Sequence, residues 1–386
     1  MKKAVMFGGG NIGRGFIGAV LAEAGYHITF ADVNMELINK LNELGTYTVH
    51  IVDVECKEQV VTDVSGVNST TQDVVDEIAG ANLVTTAVGL FILPRIAGAV
   101  AKGIAARKAA GCEEYLNIVA CENAIRASSQ LKKSVYEHLD EETAIYADKY
   151  VGFPDCAVDR IVPPVKNDES RPLDVAVENY YEWSVERSGF KGEIPDVPAM
   201  HVVDDLMAYL ERKLFTLNTG HCITAYLGVM KGYETIDQAI ADEKIFNIVK
   251  GAMVESGNGL ITKHGFKPED HWAYVETSLG RYRNPYLRDE LVRVGREPYR
   301  KLSATDRLVG PMLNARRYGF TVDNLIKGIA AGLHYSYEGD PQSQEMQQKI
   351  AEKGVLETAK ELTGIENEAV LAQIVKAYAT IKEEIQ

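Results

Sequence analysis

A lysine, an asparagine and a histidine lie close together in the segment from Lys213 to His221, which reads Lys-Leu-Phe-Thr-Leu-Asn-Thr-Gly-His. On an α-helix, which turns by about 100° per residue, Asn218 lies roughly 140° around the axis from Lys213 and His221 roughly 80°, so all three share one face. A partly desolvated lysine beside a neutral histidine and an amide can exchange a proton with an alcohol or a carbonyl. This pattern favours dehydrogenase chemistry without a metal. The alternative is a solvated lysine on an ordinary helix, with a hydrogen-bonded asparagine and histidine.

A second motif, near the N-terminus, predicts a nucleotide-binding turn. An apolar run at residues 3–7 leads into Gly-Gly-Gly-Asn-Ile-Gly at positions 8–13, and helical apolar spacing follows. We expect Gly8 to allow a tight turn, Gly10 to let the backbone approach a pyrophosphate, and Gly13 to let helix and strand pack closely. The backbone amides around Asn11 and Ile12 would meet the phosphates at the positive end of the helix.

An acidic residue at the end of the next predicted strand, residues 27–32, indicates the cofactor. Asp32 follows Gly13 by 19 residues, the separation expected of a carboxylate that binds the ribose hydroxyls of adenosine. It favours NAD over NADP because its charge would repel a 2′-phosphate and no arginine immediately follows it. The alternative is an ordinary α/β turn with a surface aspartate. The residues predicted to bind NAD are Ala4, Val5, Met6, Phe7, Gly8, Gly9, Gly10, Asn11, Ile12, Gly13, Arg14, Asp32, Val88 and Gly89.

The rest of the N-terminal half is typical of a mostly parallel sheet with antiparallel additions. Residues 46–52 and 59–64 alternate like an inserted antiparallel pair, and further strands are predicted at 82–89, 115–122 and 143–151. Asn123 follows the strand at 115–122, at the sheet edge where catalytic side chains collect. Its alternative role is the N-cap of the helix predicted over residues 124–138.

The apolar spacing becomes mostly helical from residue 202 onward, as in the stretches 236–255, 322–333, 344–361 and 369–384. A segment containing Gly192, Pro195 and Pro198 breaks both patterns. We therefore predict a Rossmann-type α/β domain at residues 1–192 and a mainly α-helical catalytic and substrate domain at residues 193–386.

Positive charge is concentrated between Arg281 and Arg317. This stretch contains ten lysines and arginines but only four acidic residues, although the whole chain has a net charge of −14. Such a stretch could hold an anionic substrate, because the arginine fork matches phosphate geometry. The alternative for any single arginine is a solvated helix face with ion pairs. Arg281 and Arg283, which flank Tyr282 just before Asn284 and Pro285, are the predicted substrate-binding residues.

Composition narrows the remaining function classes. With 386 residues, of which 46% are hydrophobic, the chain can bury a large core, while its negative charge speaks against nucleic-acid binding. No apolar run reaches membrane-spanning length and the N-terminus lacks a signal-like segment, so we expect a cytoplasmic protein without a membrane partner. Five scattered cysteines without a C-x-x-C pair favour reduced thiols and no metal site.

Five segments together resemble the polyol-specific long-chain dehydrogenases, over essentially the whole chain. They are the glycine turn Gly8–Phe16, Cys121-Glu-Asn123, Val158-Asp-Arg-Ile-Val-Pro163, the K-x4-N-x2-H helix and Arg281-Tyr-Arg-Asn-Pro285. The resemblance implies NAD-dependent hydride transfer between a polyol phosphate and a ketose phosphate, since the chain's compact length fits the phosphate-using members best. It also implies that Lys213 is the general acid/base, that Asn218 and Asn123 bind the reacting oxygen, and that His221 orients or tunes the lysine.

Two other functions remain open at this stage. One is a hexuronate reductase of the same family, and the other is a non-catalytic NAD-binding sensor, which the complete set of Lys213, Asn218 and His221 disfavours. The phosphate-binding residues follow from charge alone and from no family motif. The oligomeric state is left open, with a monomer as the preferred interpretation.

Overall fold

The structure, a computed structural model, describes residues 2–53, 55–163 and 171–386. The chain divides into two compact units, Met1–Tyr209 and Leu210–Gln386. The strands among the described residues are β1 (Lys2–Phe7), β2 (Tyr26–Asp32), β3 (Thr46–Ile51), β4 (Lys57–Thr62), β5 (Val64–Asn68), β6 (Leu83–Thr86), β7 (Leu116–Ala120), β8 (Val151–Gly152), β9 (Cys156–Asp159), β10 (Val175–Val177), β11 (Glu182–Glu186) and β12 (Met200–Val203).

Helices complete both units. In chain order they are α1 (Ala19–Glu23), α2 (Met35–Leu44), α3 (Gln72–Ala79), α4 (Leu93–Ala109), α5 (Ala127–Tyr136), α6 (Glu141–Tyr150), α7 (Leu206–Arg212), α8 (Asn218–Lys231), α9 (Ile236–Ile240), α10 (Glu243–His264), α11 (Pro268–Tyr282), α12 (Leu291–Gly295), α13 (Pro298–Lys301), α14 (Val309–Arg317), α15 (Asp323–His334), α16 (Pro341–Thr363) and α17 (Glu368–Ile385). Two π-helical turns, Gly13–Gly18 and Lys213–Leu217, lead directly into α1 and α8.

The first unit is built on a parallel sheet with the strand order β5-β2-β1-β6-β7-β8. This is the order of the doubly wound nucleotide-binding fold, so the predicted Rossmann-type class is confirmed. Both faces of the sheet are covered: alternate residues of β1 enter different cores, with Ala4 and Met6 on one side and Val5 and Phe7 on the other. Burial on both faces explains why β1 reads as a continuous apolar run and not as an alternating one.

The predicted antiparallel additions are also confirmed. Strands β3 and β4 pair antiparallel and are extended by β10, while β9, β11 and β12 form a third small sheet. The predicted pair ran to residue 64, but β4 ends at Thr62 and Asp63, with a φ of 60°, makes the turn into β5. Strand β5 then pairs with β2, so an edge strand of the main sheet was missed.

The strand predicted at residues 143–151 is wrong, because most of this segment is helix α6. The Asp140 side chain accepts a hydrogen bond of 2.7 Å from the backbone N–H of Thr143, and Glu141 and Glu142 occupy the first turn. This is a strong N-terminal helix signal, which outweighs the alternating apolar residues that follow it. Only Val151 and Gly152 pair in the sheet, as β8.

The second unit is mainly helical, as predicted. Its central helix is α8, whose residues are buried around the whole circumference from Cys222 to Gly228 and which packs against α10, α12 and α15. A helix that is apolar on all sides belongs in the middle of a bundle. Helices α11 to α14 lie within the predicted helical domain but outside the individual helical stretches predicted for it. No helix of the described residues is long and apolar enough to cross a membrane.

Candidate active site

Close packing at the glycine turn leaves no room for side chains at two of its positions. Gly8 has a φ of +93°, and a Cβ added there would lie 2.5 Å from the carbonyl oxygen of Ala87. A Cβ added to Gly13 would lie 2.0 Å from the Gly8 carbonyl oxygen. At Gly10, in contrast, no atom lies within 4 Å of the added Cβ, so the backbone is open to a ligand there.

The Asp32 carboxylate is fixed next to this turn by backbone amides. One oxygen accepts a 2.8 Å hydrogen bond from the N–H of Gly9, and the other accepts a 2.9 Å bond from the N–H of Asn34. Two cavities, of about 310 and 430 Å³, share Gly10 and Asp32 among their lining residues. Ser69, Thr70 and apolar side chains line the larger one. The carboxylate is therefore held at the junction of two spaces that could receive a nucleotide.

Arg14 is buried, and its guanidinium donates to backbone carbonyls. Its Nε lies 3.0 Å from the carbonyl oxygen of Leu173, and another of its nitrogens donates to the carbonyl of Gly9. Burial lowers the pKa of Arg14 from its ordinary value. These bonds tie the glycine turn to the segment before β10, so the arginine supports the turn; a contact with the cofactor stays a prediction.

The loop after β6 contains Val88 and Gly89, and its backbone is bound by Glu122, which was not among the predicted site residues. The buried carboxylate of Glu122 accepts hydrogen bonds from the Thr86 hydroxyl at 2.6 Å, the Val88 N–H at 2.9 Å and the Gly89 N–H at 2.8 Å. Glu122 stands between Cys121 and Asn123 in a motif that the sequence analysis singled out. The available signal was an acidic residue at the end of an apolar strand.

Asn123 lies in the exposed loop between β7 and α5, at the carboxyl edge of the sheet. Its alternative interpretation as a helix N-cap is wrong, because α5 begins at Ala127 and Arg126 occupies the N-cap position. The loop position leaves the amide of Asn123 available for a ligand. Its catalytic role stays a prediction.

The segment carrying Lys213, Asn218 and His221 is helical but not a regular α-helix. Residues Lys213–Leu217 form a π turn, in which the N–H of Asn218 donates to the carbonyl of Lys213, five residues earlier. The angles expected from an ideal α-helix are therefore wrong. The wider turn brings Asn218 closer in angle to Lys213 than a regular α-helix would, and His221 follows in the first turn of α8. Single π turns of this kind are frequent at functional sites.

Exposure separates the three candidate residues from their neighbours. From Lys213 to Gly228, every residue is buried except Lys213, Leu214, Asn218 and His221, which are partly exposed. A helix whose surroundings are otherwise apolar thus presents its lysine, amide and imidazole on one accessible strip. This selective exposure is what a binding or catalytic role would require.

Hydroxyl groups stabilise the π turn by donating to its carbonyl groups. Ser256 of α10 donates to the carbonyl of Phe215 at 2.6 Å. The Tyr282 hydroxyl of α11 donates to the carbonyl of Leu217. These bonds come from two neighbouring helices, so the irregular backbone is held by the surrounding fold.

His221 is contacted by Tyr282, the last residue of α11, and by Asp289 in the segment that follows this helix. Its Nε2 lies 2.8 Å from a carboxylate oxygen of Asp289, and its ring stacks on Tyr282 with 5.3 Å between centroids and 7° between planes. Burial alone would raise the pKa of Asp289, but the neighbouring His221 and Arg293 outweigh it and hold that pKa below its ordinary value. Asp289 was counted in the sequence only as one acid within a basic stretch.

The two predicted substrate-binding arginines have different surroundings. Arg281 is buried in the last turn of α11, at 6% exposure. Arg283, just after the helix, is exposed, and its guanidinium lies 4.5 Å from the centre of the Phe246 ring. Arg283 is therefore the one whose charge reaches solvent directly.

Other members of the basic stretch have carboxylate partners. Arg293 pairs with Asp289, Arg300 with Glu297 at 3.1 Å, and Arg307 with Asp306 at 2.7 Å. Lys301 is buried, which lowers its pKa to about 8, and it donates to a backbone carbonyl. The ion-pair alternative therefore describes part of this stretch. Among the described residues, no three His, Cys, Asp or Glu side chains are grouped as metal ligands would be.

Comparison with known proteins agrees with this architecture. The D-sorbitol dehydrogenase structure in its substrate-free form is similar over 99% of this chain and 94% of its own, at 17% identity and a TM-score of 0.83. The mannitol 2-dehydrogenase of Pseudomonas fluorescens, solved as a ternary complex with NAD and D-mannitol, is similar over 100% of this chain and 92% of its own, at 16% identity and a TM-score of 0.73.

Family models cover nearly the entire chain. The mannitol dehydrogenase Rossmann domain matches residues 2–199, and the mannitol dehydrogenase C-terminal domain matches residues 205–384. The two models follow the same order as the α/β unit and the helical unit described above. With both domains of the family present, the chain belongs to the mannitol dehydrogenase family.

Proposed function

We propose that this protein is an NAD-dependent polyol dehydrogenase that interconverts D-mannitol 1-phosphate and D-fructose 6-phosphate, the activity of a mannitol-1-phosphate 5-dehydrogenase. The observation that carries the proposal is the partial exposure of Lys213, Asn218 and His221 in the segment 213–228, where Leu214 is the only other residue that is not buried. Family membership supports polyol oxidation, and the mannitol 2-dehydrogenase that shares the fold was solved with NAD.

The residues of the first unit fit NAD. Gly10 is open to a ligand, and the amides of the glycine turn precede a helix, as phosphate binding requires. Each oxygen of Asp32 accepts one protein N–H, and a carboxylate oxygen has capacity for a second donor, such as a ribose hydroxyl. When bound, NAD supplies the hydride acceptor for alcohol oxidation, and NADH supplies the donor for the reverse reaction.

The residues of the second unit would manage the proton and the charge on the reacting oxygen. In oxidation, neutral Lys213 takes the proton of the hydroxyl on carbon 5, and in reduction the charged lysine returns it. The Asn218 amide donates to the same oxygen as negative charge develops, with a typical effect of roughly 10² to 10³ in rate. Asn123, in the first unit, is proposed to supply a second amide.

The proposed preference for a phosphorylated substrate is tested by comparing several substrates. NADH consumption is followed with fructose 6-phosphate, fructose and tagaturonate in parallel. We expect kcat/KM for fructose 6-phosphate to exceed the other two by at least about 100-fold, because a charge-assisted phosphate contact contributes a few kcal/mol. Preference for tagaturonate would indicate a hexuronate reductase. No turnover of any substrate by protein that binds NADH would indicate a sensor.

Asp32 is expected to set the preference for NAD. In Asp32→Ser, the affinity for NADH should fall by about 10- to 100-fold, because the ribose contacts and the support of Gly9 and Asn34 are lost. The affinity for NADPH should fall much less, because repulsion of the 2′-phosphate disappears with the carboxylate. Titration calorimetry with both nucleotides measures this without turnover.

Glu36→Gln is the matched control for Asp32, because Glu36 lines the same smaller cavity and is exposed. It should leave the ratio of the two affinities unchanged. Equal affinity of the unmodified protein for NADH and NADPH would contradict the assignment of Asp32.

Arg283 and Arg281 are proposed to bind the substrate phosphate. Arg283→Ala should raise KM for fructose 6-phosphate by about 10- to 100-fold while hardly changing the weak activity on fructose, because only the phosphorylated substrate loses a charged contact. Arg281→Ala should show the same difference together with a lower Tm, because Arg281 is buried.

Arg317→Ala, at the exposed end of α14, is the control for charge alone and should leave both substrates unaffected. If the variants at positions 281 and 283 weaken both substrates equally, or neither, the phosphate site lies elsewhere. Of the alternatives, Arg296 is exposed, whereas Arg160 already donates to the carbonyls of Gly15 and Glu178.

A further inference from the structure

His221 is partly exposed, yet two buried residues contact its ring, which is not expected of a histidine on a solvated helix face. Asp289 is 6% exposed, yet its carboxylate faces the imidazole Nε2 at 2.8 Å. Tyr282, itself 2% exposed, covers one face of the ring and donates its hydroxyl to the carbonyl of Leu217 in the π turn. The ring is therefore stacked on Tyr282, and its Nε2 lies at ion-pair distance from Asp289.

The chemistry of a carboxylate decides which nitrogen carries the proton. An ionised carboxylate oxygen has only lone pairs to offer, and a second lone pair on Nε2 would be repelled at 2.8 Å, so this contact favours a hydrogen on Nε2 even though its alignment is not that of a regular hydrogen bond. In the neutral imidazole the other nitrogen, Nδ1, then has a lone pair and acts as an acceptor. The second oxygen of Asp289 accepts from Arg293, which keeps the carboxylate ionised and fixes its plane.

We infer that Asp289 is a positioning residue that holds His221 in its Nε2–H tautomer, so that Nδ1 is the acceptor which the ring offers to an O–H or N–H donor during the reaction. The catalytic consequence rests on the proposed function, whereas the tautomer itself does not. Lys213 as an ammonium, or a hydroxyl group of a polyol, has the donor chemistry that such a nitrogen accepts. Asp289 would thus act through His221 and not on the substrate.

The packing of Tyr282 supports this arrangement independently. A Cβ added to Gly220, the residue before His221, would lie 2.9 Å from the Tyr282 hydroxyl and 2.6 Å from the sulfur of Met253. Glycine at this position therefore lets the tyrosine approach α8 closely enough to stack on the imidazole. The segment from Tyr282 to Asp289 contacts His221 from two directions, which fixes the orientation of Nδ1 relative to Asn218 and Lys213 along the same helix.

The first test observes the tautomer directly in the protein without substrate. Two-bond ¹H–¹⁵N correlation spectra of histidine-labelled protein, with the His221 signal assigned by its loss in His221→Gln, distinguish the two nitrogens. In the neutral form we expect a protonated Nε2 and an unprotonated Nδ1. In Asp289→Asn we expect the proton to move at least partly to Nδ1, because an amide can donate to Nε2. A protonated Nδ1 in the unmodified protein would overturn the inference, whatever the substrate proves to be.

The second test measures the consequence for turnover. Asp289→Asn should lower kcat by on the order of 10- to 100-fold with an unchanged Kd for NADH, and Asp289→Glu should recover part of the loss. Arg293→Gln removes the other partner of Asp289 while keeping the carboxylate beside His221, so it should lower kcat clearly less than Asp289→Asn does. Equal losses in Asp289→Asn and Arg293→Gln would mean that the cluster is only structural, and they would overturn the inference.

Discussion

Replacement of Lys213 by alanine is expected to lower kcat by roughly 10²- to 10⁴-fold, the usual contribution of a general acid or base. The affinity for NADH should be nearly unchanged, because the lysine handles a proton and not the cofactor. In the unmodified protein, the rate of alcohol oxidation should rise with pH through one ionisation, since the neutral lysine is the base. This dependence should disappear in Lys213→Ala. Stopped-flow measurement of NADH formation reports on both.

Two controls make the Lys213 experiment specific. Lys376→Ala removes an exposed lysine from α17 and should leave kcat unchanged. Added ethylamine should restore part of the activity of Lys213→Ala and none to Lys376→Ala, because a small amine can occupy the space of the missing side chain and exchange a proton. Near-normal turnover in Lys213→Ala, or a flat pH profile of the unmodified enzyme with chemistry rate-limiting, would refute the assignment.

Local sequence patterns predicted the nucleotide-binding turn well, because its chemistry is short-range. Gly13 is required by its contact with the carbonyl of Gly8 five residues earlier, and Gly8 by its positive φ as well as by the distant Ala87, while Asp32 ends the strand beside them. The acid is separated from the turn by one helix and one strand of standard length, so spacing alone indicates its place. The parallel sheet followed from the same alternation of strands and helices.

Irregular backbone and distant contacts were not predictable in this way. The π turn at Lys213–Leu217 depends on hydroxyls of Ser256 and Tyr282, which lie far along the chain, and it leaves the apolar periodicity almost unchanged. Glu122 and Asp289 are equally inconspicuous in the sequence. Folding brings Glu122 to the loop that holds Val88, and it brings Asp289 to the ring of His221. In both cases the two partners lie far apart in the sequence. Their burial, visible only in the structure, separates them from ordinary surface acids.

The π turn also changes what the spacing of the catalytic candidates means. In a regular α-helix, residues five apart are separated by about 140° around the axis, whereas a π turn, with more residues per turn, reduces this angle. The backbone bond from Asn218 to Lys213 therefore places the two residues closer to the same side of the helix than the regular spacing would. Because this bond uses the main chain of Asn218, its side chain can be altered without removing it. A mutation of Asn218 therefore tests the role of its side chain without removing the backbone hydrogen bond of the π turn.

Asn218→Ala is accordingly expected to lower kcat by roughly 10²- to 10³-fold, the effect of losing one donor to a developing oxyanion. KM should change little, because the amide acts mainly when charge builds on the oxygen and hardly in the ground state. Tm should stay close to that of the unmodified protein, since the π-turn hydrogen bond is retained and the side chain is partly exposed. Steady-state kinetics and a thermal melt measure these quantities together.

Asn247→Ala is the matched control, because Asn247 is an exposed asparagine on α10 of the same unit. It should leave kcat, KM and Tm unchanged. In Asn218→Asp the loss should be at least as large as with alanine, because a carboxylate repels the negative oxygen that the amide stabilises. A rise in KM with normal kcat would instead assign Asn218 to ground-state binding of the substrate, and unchanged kinetics would remove it from the reaction. Either outcome would leave Lys213 to act without the amide one π turn above it.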